Sequence, residues 1–112
     1  MKSASAIICL NALGQEQRLK LFRLLVQAGD AGMYVGELTE ATRLAGAMLT
    51  EHLHALRRAG MVRHEQHGRA VKYRANYARM NELLGFLTEN CCAGSVSSSI
   101  CGSEVARIFR TR

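Results

Sequence analysis

AMLTEHLHALRRAG, residues Ala47 to Gly60, is the stretch that decides the fold. Its leucines Leu49, Leu53 and Leu56 fall at i, i+4 and i+7 and share one helical face, while Met48, Thr50, Glu51, His54, Arg57 and Arg58 look elsewhere. One stripe is therefore for packing and the rest is offered outward. Arg57 and Arg58 sit where the helix dipole favours positive charge, and Gly60 supplies the left-handed residue that ends the helix.

Upstream lies a short amphipathic segment, Val35 to Thr42 (VGELTEAT), joined to the Ala47–Gly60 helix by RLAG, a connection that contains a glycine. Two short helices joined in this way read as a helix-turn-helix. Downstream, Val62 to Gln66 and Ala70 to Ala75 are strand-like runs, the second alternating Val71 and Tyr73, with His67, Gly68 and Arg69 at the bend. The expected fold is mainly α with a β-hairpin wing, a winged helix-turn-helix. Two further helices precede it, Ser5 to Leu13 and Gln15 to Ala28, and one follows, Ala78 to Asn90. In the second helix Leu19, Phe22, Leu25 and Val26 form the core stripe, broadened by Leu21 and Leu24; in the last, Met80, Leu83, Leu84 and Leu87 form a buried or dimer-facing one.

A chain of 112 residues, 48% hydrophobic and without proline or tryptophan, can bury one modest core, which a dimer interface would enlarge. The formal net charge is +6 and it is concentrated: between Arg43 and Arg79 stand Arg43, Arg57, Arg58, Arg63, Arg69, Lys72, Arg74 and Arg79 against Glu51 and Glu65. Positive charge gathered on an exposed helix and a hairpin is the footprint of a DNA binder. Lys2 and the apolar patch after it resemble the start of a secretory signal, but the run is short, broken by Asn11, and lacks a small-residue cleavage site. No apolar stretch approaches the roughly 18 residues of a membrane span. A thiol enzyme would need an activated cysteine, usually in a C-x-x-C beside a βαβ unit, and neither is present.

The stretches ALGQEQRLKLFRLLVQAG (Ala12 to Gly29), GELTEAT (Gly36 to Thr42), AMLTEHLHALRRAGMV (Ala47 to Val62) and QHGRAVKYRAN (Gln66 to Asn76) together resemble the ArsR/SmtB family of bacterial repressors, over roughly residues 5 to 92. The resemblance implies a cytoplasmic homodimer on double-stranded operator DNA, with the first and last helices at the dimer interface. It places Ala47, Met48, Thr50, Glu51 and His54 on the groove-facing side of the recognition helix, with Arg57 also toward DNA. From the wing, Arg69 at the tip and Lys72 join them. Glu51 departs from the polar or basic residue common there; a carboxylate near DNA is repelled by phosphate unless it accepts from a cytosine amino group or pairs with an arginine. His52 beside the leucine stripe reads as a structural histidine rather than a ligand.

The effector is a separate question. In the family's zinc sensors the last helix carries Asp and His ligands; here it has neither, and Gly36 to Thr42 has no cysteine. The four cysteines are Cys9, Cys91, Cys92 and Cys101. Residues 1–90 read as the DNA-binding and dimerisation domain and 91–112 as an effector-binding tail, in which a Gly/Ser-rich linker separates the vicinal pair from Cys101 and lets three thiols converge. Trivalent As(III) or Sb(III) is soft and takes three thiolates, whereas Zn(II) usually wants a fourth ligand. Cys91, Cys92 and Cys101 are therefore the expected metalloid ligands, and the arrangement resembles arsenic-responsive members of the family, with a longer gap before the third cysteine. The alternative is a redox or reactive-sulfur sensor using Cys9 with Cys91/Cys92. Cys9 among isoleucines also reads as a small buried hydrophobe. Val105, Ile108 and Phe109 outline a short basic helix at the end of the tail.

Overall fold

In a computed structural model of the chain, residues 1–90 are described; the tail with Cys91, Cys92 and Cys101 lies outside them. The order is α1 (Ser3–Leu13), α2 (Glu16–Ala28), a 3₁₀ turn (Gly29–Ala31), β1 (Met33–Tyr34), α3 (Val35–Thr42), α4 (Gly46–Arg58), β2 (Val62–His67), β3 (Ala70–Ala75) and α5 (Tyr77–Leu87). This is the winged helix-turn-helix read from the sequence.

The leucine stripe of α4 packs as its spacing requires. Leu49, Leu53 and Leu56 are all buried, meeting Leu21 and Leu25 of α2, Leu38 of α3 and Met61 in one core. In α2 the buried set is Leu21, Phe22 and Leu25, while Leu19, expected in the core stripe, is exposed. Gln15 begins α2 by accepting the Arg18 backbone N–H at 2.9 Å. The Arg18 side chain in turn donates to the carbonyls of Ala12 at 2.6 Å and Asn11 at 3.4 Å, which satisfies the orphan end of α1.

The end of α4 is tied on several sides. Gly60 has φ +79°; its N–H bonds the Arg57 carbonyl at 2.9 Å, and the Met61 N–H bonds the Leu56 carbonyl at 3.0 Å, the paired bonds of a Schellman cap. The Ala59 carbonyl accepts from the Cys9 thiol at 3.7 Å and from Arg79 Nε at 3.3 Å. Asn76, the residue that caps α5 by accepting the Arg79 N–H, donates from its amide side chain to the Gly60 carbonyl at 2.9 Å, and its backbone N–H reaches the Met61 carbonyl at 2.8 Å. Helices α1 and α5 thus grip the recognition helix at its C-terminal end.

The sheet has the order β1-β3-β2, antiparallel throughout. Pairing of β2 with β3 runs from Val62↔Ala75 to His67↔Ala70, leaving Gly68 and Arg69 as a two-residue loop. Only Gly68 of the two has positive φ, +63°, as a type II′ turn needs. The third strand, β1, was not expected: Met33 and Tyr34 pair with Tyr73 and Lys72. The left-handed residue of the helix-turn-helix is Arg43, φ 59°, and not the glycine of the connection, which instead opens α4. Helix α1 starts at Ser3 rather than Ser5, and α5 ends at Leu87 rather than Asn90; Thr88 Oγ1 donates back to the Leu84 carbonyl at 2.8 Å, and Asn90 already has φ 56°.

Candidate nucleic-acid interface

With the leucines inward, α4 offers Ala47, Met48, Thr50, Glu51 and His54 outward, all exposed. No cation lies within ion-pair distance of Glu51 among the described residues, so its carboxylate is free to accept from a donor outside the protein. His52 faces inward and is buried, and its two ring nitrogens have no hydrogen-bond partner among the described residues. It is a packing residue, out of reach of DNA.

The wing and the recognition helix meet in a cleft of about 450 Å³ between the first turn of α3 and β3. Thr50 of α4 and Arg69 of the wing tip both line it, together with Val35 and Gly36 at the start of α3. Residues 19 apart in sequence thereby line one concave surface beside the start of α3. Arg69 and Thr50 can serve a phosphate oxygen here, while the first turn of α3 is already capped by Glu37, whose Oε1 accepts the Tyr34 N–H at 2.8 Å.

Arg57, half-buried, sits behind that edge. Its guanidinium donates to Nε2 of His54 and to Nε2 of His64, each at 2.9 Å, and His64 is stacked on Tyr73 with ring centroids 5.7 Å apart. Arg57 therefore joins the recognition helix to the wing. Sequence spacing assigned it outward charge, and only the hairpin's position reveals its bridging geometry. Lys72 lies with Nζ 5.5 Å from the centre of the Tyr34 ring, a cation–π contact that braces it against β1. On the same outer face Glu65 pairs with Arg74 at 3.2 Å and His67 at 3.3 Å. The hydrogen bond from His67, followed by the charge of Arg74, holds the Glu65 carboxyl below the usual carboxylate range.

Away from this surface, α1 turns Ala6, Cys9 and Ala12 into the core and leaves Ile7 55%, Ile8 53% and Leu10 42% exposed. Leu87 on α5 is 53% exposed. Cys9 is fully buried. No group of three or more His, Cys, Asp or Glu side chains suited to a metal occurs among the described residues, and no helix there is long and apolar enough to cross a membrane.

A helix-turn-helix domain family matches residues 13–65. The transcriptional activator HlyU of Vibrio cholerae serotype O1 is 30% identical over 90 residues, which cover 80% of this chain and 81% of that protein. The solved structure of reduced HlyU from Vibrio cholerae N16961 has 34% identity and a TM-score of 0.61, covering 76% of this chain and 90% of that one. An ArsR-like transcriptional regulator from Rhodococcus sp. RHA1, at 23% identity, shares the fold with a TM-score of 0.64 over 96% of this chain and 89% of its own. Sequence relatives over most of the length and an outward-facing recognition helix beside a basic wing lead to one conclusion: the chain belongs to the ArsR/SmtB family of winged-helix transcription regulators and is not an enzyme.

Proposed function

We propose that the protein is a cytoplasmic homodimeric repressor, released from its operator when As(III) or Sb(III) binds the thiolates of Cys91, Cys92 and Cys101. The observation that carries this reading is the state of Cys9. Its thiol is fully buried and donates to the Ala59 carbonyl, so the cysteines left for effector chemistry are those of the tail, which begins three residues after Thr88. A vicinal thiol pair with a third thiol nearby suits a soft trivalent ion. The apolar side chains that α1 and α5 leave exposed, Ile7, Ile8, Leu10 and Leu87, support pairing of two copies. Such a dimer sets two recognition helices in successive major grooves, about one helical turn apart.

A second reading has its own support: one of the matching HlyU structures is that of the reduced protein. Under that reading Cys91/Cys92 forms a disulfide or polysulfide, with Cys9 as the partner thiol.

Fluorescence anisotropy of the reduced protein on its upstream DNA, with arsenite, zinc and a polysulfide donor in parallel, separates the two. Release by arsenite, abolished in Cys91→Ser and Cys92→Ser variants that still bind DNA, supports the metalloid sensor. Normal arsenite release in those variants refutes it, and release by polysulfide that a reductant reverses selects the redox reading.

A further inference from the structure

The wing carries a charge conflict that DNA contact at its tip does not resolve. Arg63 and Arg74 lie directly opposite each other in the β2–β3 register, and like charges in that relation destabilise a hairpin. Arg74 is compensated by Glu65 at 3.2 Å. Arg63 has no carboxylate within ion-pair distance among the described residues. The pair stands near the root of the wing, on the face turned away from Tyr73 and α4, about 15 Å along the hairpin from the Gly68–Arg69 tip at roughly 3.3 Å per residue.

A cavity of about 280 Å³ opens at this point, lined by Asp30, Arg63, Arg74, Asn76, Tyr77 and Ala78. Two arginines thus line a space large enough for a small ligand and bounded by the first turn of α5. We propose that this cavity binds a small tetrahedral oxyanion, inorganic phosphate or the phosphoryl group of a monoester. Guanidinium forks match phosphate oxygens with paired charge-assisted hydrogen bonds. An anion between the two arginines also turns their mutual repulsion into a shared attraction. The Asp30 carboxylate in the lining and Glu65, paired with Arg74, oppose the same charge and keep the affinity moderate, so that binding saturates only at high ligand concentration. Occupancy joins β2 and β3 to α5, and so fixes the root of the wing relative to that helix.

The test uses the full chain in chloride buffer at constant ionic strength, with isothermal titration by inorganic phosphate, adenosine monophosphate and succinate. Phosphate is expected to bind saturably. Loss of one charge-assisted contact in Arg63→Gln should weaken it about tenfold or more. Removing the opposing charge in Asp30→Asn should tighten it severalfold, and Lys20→Gln, on the exposed side of α2, should leave it unchanged. Arg63 is exposed, so its variant keeps the fold, and the gain in Asp30→Asn cannot be produced by unfolding. Adenosine monophosphate binding more tightly than phosphate would identify a monoester as the ligand. Absence of saturable binding at millimolar phosphate and monoester overturns the proposal, as does binding indifferent to both Arg63→Gln and Asp30→Asn. So does a result in which Arg63→Gln lowers only DNA affinity and its salt dependence, because the arginines would then serve the DNA backbone.

Discussion

Cys9 should be almost inert to thiol reagents in the folded protein, and the size of the effect follows from what covers it. The thiol lies on the inward face of α1 between Ala6 and Ala12, all three buried, with Sγ donating to the Ala59 carbonyl. A reagent reaches it only if α1 lifts away. That exposes the Ala6, Cys9 and Ala12 side chains at about 0.8 kcal/mol per buried methylene equivalent, uncovers part of Leu13, and breaks the Arg18 contacts to Ala12 and Asn11. Part of that cost is returned as chain entropy, leaving an opening free energy of about 3–4 kcal/mol. Since 1.4 kcal/mol is tenfold, alkylation should be slowed roughly 100- to 1,000-fold relative to the denatured chain. Pulsed iodoacetamide labelling with peptide mass spectrometry, in buffer and in guanidinium chloride, measures the ratio directly. Labelling of native Cys9 within tenfold of the denatured rate would refute the burial argument and remove the main objection to a Cys9 disulfide.

Three further outcomes follow from the geometry. Arg69→Gln, removing the wing-tip cation from the cleft it shares with Thr50, should reduce the salt dependence of operator binding by about one unit in log K against log salt without altering thermal stability. Gly32→Ala should destabilise the protein by about 2–3 kcal/mol, read from a urea midpoint, because Gly32 has φ +66° and an added Cβ would stand 2.6 Å from the Tyr73 carbonyl oxygen; a midpoint within error of the parent would exclude this packing. Glu65 has a carboxyl lowered by His67 and Arg74, so its ionised form favours the folded state. That contribution is present above the ordinary carboxylate range and lost as pH falls through the lowered value, and Glu65→Gln should flatten stability in that acidic window. Because the group is fully exposed the effect is small and should vanish at high salt; persistence at high salt would contradict the assignment.

The elements with strong periodicity were legible in the sequence. Helix α3 runs over the expected Val35–Thr42, and the α4 leucines and the β3 limits are as spacing demands. What escaped notice depends on partners distant in sequence. Two residues, Met33 and Tyr34, cannot display alternation, and only pairing with β3 makes them a strand. Leu19 is apolar and in phase with α2, yet it reaches the surface beside α5 at a groove that also involves Met61 and Met80; periodicity gives a face but not what covers it. The outward set Ala47, Met48, Thr50, Glu51 and His54 could be read from helical phase together with family resemblance. The Arg57 bridge and the Arg63–Arg74 opposition required the register of the hairpin. Of the three expected metalloid ligands, all lie outside the described residues.

The way α4 is terminated has a mechanical consequence. Asn76 holds the Gly60 and Met61 carbonyls while it starts α5, so the recognition helix and α5 turn on one pivot. Helix α5 has 11 residues, about 16 Å at 1.5 Å per residue. A displacement of roughly 3 Å at its Leu87 end corresponds to a tilt of about 10° about Asn76, the residue bonded to the base of the recognition helix. The shortest path from the far end of α5 to the residues that face DNA therefore runs through Asn76 and Arg79 to the end of α4 and bypasses the leucine core.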